Sequence, residues 1–273
     1  MNEVNNLASE EYSVLAFYGV SSTEKSRLGF YETLVDWFDY LGYPPDKLSI
    51  HGAGHSGKPV SFSRSNSRLK KNGFQQVSAF TIFSTIPEGR IPINDYYLMA
   101  CYGSNSYAFI ATCSSIANLG SGLMFPLVQN LINILEFEYG IGYTREHHLG
   151  PAMYAIGIGQ GLDVSGDARE EAMNITRWGM TGMDYSVYRE GLIRDVYHWN
   201  FLTKDQLQKS VNNKTLAEWI QQEATRGSLK SLSEDITIWK VDEIHIPVVR
   251  SSLQATGNIF DWRAYESRLT DLS

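Results

Sequence analysis

Residues 52–58 read Gly52-Ala-Gly-His-Ser-Gly57-Lys58, which fits the GxxxxGK spacing of a phosphate-binding loop. Such a loop cradles phosphate oxygens with successive backbone N–H groups. The motif then needs a Ser or Thr hydroxyl to hold magnesium. Here that position is Pro59, which also lacks a backbone N–H. No hydrophobic run ending in a metal-binding Asp follows. Gly52, Gly54, Gly57 and Lys58 therefore read as a glycine-rich turn able to meet an anion incidentally.

Glu146-His147-His148 is the second candidate. On a strand, two adjacent imidazoles point to opposite faces, so one metal ion cannot readily take both. The spacing is not that of a zinc-binding helix, and nothing in the sequence brings His51 or His55 to the pair. A histidine acting as acid or base with Glu146 or Asp163 is the other chemistry available. No serine sits in a GxSxG elbow. Cys101 and Cys113 lie in apolar runs without the spacing of a metal site or disulfide framework. They read as buried free thiols of a reducing compartment. No catalytic residue, metal site or cofactor is assigned on these grounds.

The carboxylates form two groups. Glu32, Asp36 and Asp39 share one helix face, and Asp163, Asp167, Glu170 and Glu171 make the densest later cluster. Each reads first as solvated helix surface and second as a face for a basic partner. Between Lys47 and Pro87 there is no acidic residue, while Lys58, Arg64, Arg68, Lys70 and Lys71 all occur. That asymmetry implies either a dipolar surface or internal pairing with the acid row, and the internal or merely solvated arrangement is the simpler expectation. The net charge of −7 argues against general affinity for nucleic acid.

These residues need elements to hold them. Tyr12–Gly19 is a short apolar run typical of a buried strand. Ser21 and Glu24 are spaced as a capping box for a helix whose stripe is Leu28, Tyr31, Leu34, Val35, Phe38 and Leu41, ended by Gly42 and Pro44-Pro45. Val77–Ser84 predicts a strand, and Tyr96–Gly103 and Tyr107–Ser115 flank a Ser-Asn-Ser turn as a hairpin. Leu123–Phe137 predicts a helix leading into the glycine-rich, aromatic stretch Phe137–Gly161, around which the chain is organised. Later come a helix over Asp167–Trp178, two short helices capped by Thr203 and Asn213, a strand over Ile236–Val241, and a last helix stopped by Gly257. Strand and helix signals are mixed, not strictly alternating. This predicts an α+β fold, with a mixed or antiparallel sheet, flanking helices and possibly two lobes, 1–161 and 162–273. The N-terminus lacks a basic and an apolar region, so no signal peptide is expected, and no run approaches the roughly 20 apolar residues of a membrane helix.

Tyr139–Pro151, Gly191–Leu207, Leu216–Leu232 and Ile238–Leu253 resemble bacterial immunity proteins paired with type VI secretion toxins and related polymorphic toxins. The likeness is diffuse, covers most of the chain and carries no catalytic signature. It implies a non-enzymatic cytoplasmic protein that binds and neutralises a cognate toxin, with no membrane or direct nucleic-acid partner. Without a signal peptide, the target implied is cytosolic, such as that of a nuclease toxin. A basic toxin surface would be steered towards Glu32, Asp36 and Asp39, or towards Asp163, Asp167, Glu170 and Glu171. The alternative is an enzyme acting on a small polar or phosphorylated substrate through the Gly52–Lys58 loop and the His147 region.

Overall fold

The computed structural model describes residues 10–87, 92, 94–159, 167–180, 186–261, 263–264 and 267. The chain forms two compact units, Met1–Phe137 with Thr144–Ala152, and Glu138–Tyr143 with Met153–Ser273.

The first unit is built on antiparallel strands: β1 (Glu11–Tyr18), β2 (Lys47–Gly52), β3 (His55–Ser56), β4 (Val60–Ser61), β5 (Val77–Thr85), β6 (Tyr96–Gly103) and β7 (Tyr107–Cys113). Their order is β1-β7-β6-β5-β2-β3, with β4 also pairing β2. Every residue of β1 from Tyr12 to Tyr18 is buried, the unbroken pattern of a strand covered on both faces. Helix α1 (Glu24–Tyr40) lays Phe30, Leu34 and Phe38 against the core, each fully buried. Burying a side chain of this kind stabilises by about 1.5–3 kcal/mol. Phe30 meets Phe80 and Tyr102 at 6.2 and 5.6 Å between ring centroids, which ties α1 to the middle of the sheet. Helices α2 (Phe62–Asn72) and α3 (Met124–Ile132) complete the unit.

In the second unit, the first part of β8 (Tyr139–Glu146) begins the strand order β8-β9-β13-β12, made with β9 (Trp199–Leu202), β12 (Ser228–Ser231) and β13 (Thr237–Lys240), again antiparallel. The remaining elements are α4 (Pro151–Ala155), whose first two residues belong to the first unit, α5 (Asp167–Met180), α6 (Ser186–Arg189), α7 (Lys204–Gln208), α8 (Leu216–Gln221), α9 (Ile246–Ala255) and the small hairpin β10 (Ser210–Val211) and β11 (Lys214–Thr215). Buried Gln206 closes a capping box with Thr203 and donates from Nε2 to the carbonyl of Tyr188 at 2.7 Å and of Glu138 at 3.1 Å. One side chain thus fixes α7 to two other segments. The architecture is α+β, with large antiparallel ladders and flanking helices, as the mixed signals predict.

Local details differ from the sequence expectation. The cap of α1 is Thr23, whose hydroxyl accepts the Ser26 N–H, and Glu24 instead accepts the N–H of Phe74 across the unit. Asn213 is not a cap: Asn212 and Asn213 have φ of 51° and 65° and form the two-residue turn of the β10–β11 hairpin, which favours Asn. Thr215 caps α8 in a box with Glu218. Helix α3 stops at Ile132, short of the expected Phe137. Helix α2 arises where only a basic stretch was evident.

Candidate functional site

Glu32, Asp36 and Asp39 recur at i, i+4 and i+7 of α1 and are all exposed, opposite the buried Phe30, Leu34 and Phe38. Among the described residues none of the three carboxylates has a cationic partner. Tyr40, at the end of the same helix, is 74% exposed. Among the described residues the row is therefore an uncompensated acidic surface ending in an aromatic ring, on a helix whose opposite face is packed in the core. Of the second acid group, Asp163 lies outside the described residues. Asp167, Glu170 and Glu171 fall on α5, with side chains also outside them.

The Gly52–Lys58 segment is a hairpin, not a loop opening a helix. Gly52 pairs with His55 across the β2–β3 turn, and the Gly57 N–H is committed to the Ile50 carbonyl at 2.9 Å. Gly52, Gly54 and Gly57 all have positive φ. A Cβ on Gly57 would stand 2.1 Å from the His51 ring, so the glycine is there to let that imidazole close over the turn. Lys58 is exposed beside it.

His147 and His148 belong to a 3₁₀ turn, His147–Leu149, rather than to the strand. His147 Nε2 lies 2.6 Å from the Asn94 carbonyl, and its ring sits against Tyr12 with centroids 5.2 Å apart. His148 Nδ1 reaches Glu146 Oε2 at 3.1 Å, both half exposed. The His147 N–H is bonded to Glu10, just before the start of β1, whereas the Gly52 hairpin closes the far end of β2. Four strand spacings separate β1 from β2, on the order of 20 Å, so the two candidate groups are not brought together. Among the described residues no cluster of His, Cys, Asp and Glu could hold a metal ion. Cys101 and Cys113 are buried free thiols, and burial pushes the Cys101 thiol up to about 11.

The largest polar constellation in the second unit has a different origin. Arg194 is 5% exposed, and its guanidinium carbon stands 4.4 Å from the Trp178 ring centroid and 4.7 Å from that of Tyr154. Its Nη2 donates to the Tyr154 carbonyl at 3.0 Å. Next to it, Asp195 pairs with Arg250 and accepts the Val196 N–H at 2.7 Å. Burial raises the Asp195 carboxyl above its ordinary range, and the Arg250 charge opposes that rise. Burial also pushes the Tyr197 hydroxyl well above its ordinary value, so it keeps its proton. Such a cluster anchors a loop by cation–π contact and ion pairing. Its sequence signal is an Arg-Asp pair inside the apolar run Leu192–Tyr197.

Among the described residues no helix is long and apolar enough to cross a membrane. No family model and no curated protein matches the chain. Among solved structures, a Pseudomonas aeruginosa T6SS protein, PA0821, is similar in fold, with a TM-score of 0.54 at 8% identity over 92% of this chain and 73% of that one.

Proposed function

We propose that the chain is an immunity protein that binds and neutralises a cognate secreted antibacterial toxin by contact alone, acting in the cytoplasm of the producing cell. The observation that carries this reading is the likeness of fold, along 92% of the chain, to a protein of a type VI secretion system. The exposed row Glu32, Asp36 and Asp39 supports it, because carboxylates without partners among the described residues lose little by meeting a basic surface. Tyr40 is the natural anchor of that contact, since rigid aromatic rings dominate interface energetics. Asp163, Asp167, Glu170 and Glu171 form a second region of contact in the same reading. The toxin is one with a basic substrate cleft, as a nuclease has.

The test is to capture the toxin from lysate of the producing bacterium, purify it, and measure both binding and protection of a sensitive strain. Wild type should bind stoichiometrically and protect. The triple variant Glu32→Lys, Asp36→Lys, Asp39→Lys should associate at least about tenfold more slowly at low salt. That difference should shrink in about 0.5 M salt. A folded wild-type protein that binds no toxin-like protein and protects no cell sinks the reading.

A further inference from the structure

From Lys47 to Pro87 the chain carries Lys47, Lys58, Arg64, Arg68, Lys70 and Lys71 and no carboxylate, inside a protein of net charge −7. The fold gathers three of these six charges on one helix face. Arg64, Arg68 and Lys71 recur at i, i+4 and i+7 of α2 and are exposed, while Ser65 and Leu69 on a different face are buried. None of the three has an acidic partner among the described residues.

The acidic row of α1 is its neighbour. Tyr31 of α1 stacks on Phe62 at the start of α2 with centroids 6.3 Å apart, and meets Phe74, just past its end, at 5.2 Å. Tyr31 and Phe74 both rest on Phe80 of β5, so the two helices cover the same side of the sheet. The acidic row is opposite the buried residues of α1, and the basic row of α2 lies on a different, exposed face from Ser65 and Leu69. Among the described residues no ion pair joins the two rows, and both are exposed, as the merely solvated arrangement expects.

A second observation concerns apolar exposure. Among the described residues of the first unit, the exposed large apolar side chains are Leu28, Tyr40 and Val60. Leu28 and Tyr40 bracket the acid row, and Val60 leads into α2. A long polyanion lying on α2 would meet the α1 carboxylates and gain nothing from these side chains. What fits is a protein surface with a basic row beside an acidic one, rimmed by apolar groups. This same face, turned about a two-fold axis, is such a surface.

We propose that the first unit pairs with a second copy of this chain through this face, the α1 row of each copy opposing the α2 row of its partner. Exposed ion pairs are individually weak and screened by salt, so the dimer is a weak one that dissociates as salt rises. The pairing stands independently of the toxin reading. If both hold, dimer and toxin compete for the α1 row.

Sedimentation of the purified full chain at about 50 mM and about 500 mM sodium chloride tests it without any toxin present. Wild type should show a concentration-dependent dimer at low salt, with a dissociation constant raised about tenfold or more at high salt. R64E/R68E/K71E should be monomeric, and so should E32K/D36K/D39K. The six-fold swap, which restores opposite signs, should dimerise again, an outcome that misfolding cannot produce. A wild type monomeric at both salts, or a swap that stays monomeric while circular dichroism shows it folded, overturns the proposal. Tight binding of a short DNA duplex by wild type, lost in R64E/R68E/K71E, would instead assign the α2 row to nucleic acid and overturn it too.

Discussion

Arg250 Nε lies 2.6 Å from Asp195 Oδ1, and this ion pair ties helix α9 of the second unit to the loop that carries Arg194. Removing the carboxylate leaves two arginines with less negative charge between them. Asp195→Ala should destabilise by about 2 kcal/mol, below the 3–5 of a fully buried pair because Arg250 keeps some access to water. Asp195→Asn, which retains an acceptor for the Val196 N–H, should cost less. Urea denaturation followed by tryptophan fluorescence would rank the two variants, and equal losses would contradict the charge argument.

The same carboxyl makes a pH prediction. Its folded-state pKa is raised, by burial first and against the pull of Arg250. The folded protein therefore holds this proton more tightly than the unfolded chain does. The stability it contributes is fully present below the unfolded value and is lost as pH rises through the folded one. Measured against Asp195→Asn, wild type should lose relative stability on going upward from about pH 4. A relative stability that climbs over that range would reverse the assignment.

At the β2–β3 hairpin, Gly54 and Gly57 have similar φ, 80° and 73°, but different surroundings. A Cβ on Gly54 meets nothing within 4 Å, whereas one on Gly57 meets the His51 ring. Gly54→Ala should cost about 1 kcal/mol for backbone conformation alone. Gly57→Ala should cost about 1 kcal/mol more, unless the imidazole swings away freely. Thermal melts of both, repeated in a His51→Ala background, would separate the two contributions. The gap should close when the ring is absent.

Cys101 and Cys113 should both resist a thiol reagent in the native protein, since burial raises each thiol and covers it. Titration with a chromogenic disulfide should read close to zero natively and two thiols after denaturation. Fast native modification of either would mean that the surrounding sheet opens locally.

The charge-reversed α1 row should leave folding intact. Among the described residues Glu32, Asp36 and Asp39 touch no partner that their loss would orphan, so the triple lysine variant should shift Tm by no more than about 2 °C. A larger drop would show that the row supports the helix, and binding defects in that variant would no longer speak for an interface.

How far the sequence was legible follows physical range. Contiguous apolar runs such as Tyr12–Tyr18 and the Ser104–Ser106 turn of the β6–β7 hairpin announce themselves, because strand burial and turn chemistry act over a few residues. The stripe of α1 was legible for the same reason. Its cap was not, because Glu24 is recruited by Phe74, fifty positions away. Helix α2 hid because Ser, Asn and Arg dominate it and its buried residues, Ser65 and Leu69, make no apolar stripe. The acid row could be read as a helix face from spacing alone. Its lack of a partner among the described residues, and the arginine held between Trp178 and Tyr154, depend on contacts between distant segments that no local pattern encodes.

Strand β8 has a consequence for how the protein is made. Its residues through Tyr143 belong to the second unit, and those from Thr144 to the first. Gly140, Ile141 and Gly142 pair with Phe201, Asn200 and Trp199, which emerge from the ribosome nearly sixty positions later. The first unit also takes Thr144–Ala152, so its chain is not complete until that segment has been translated. No single cut of the gene yields two whole halves, and during synthesis a strand with an exposed hydrogen-bonding edge must wait for its partner.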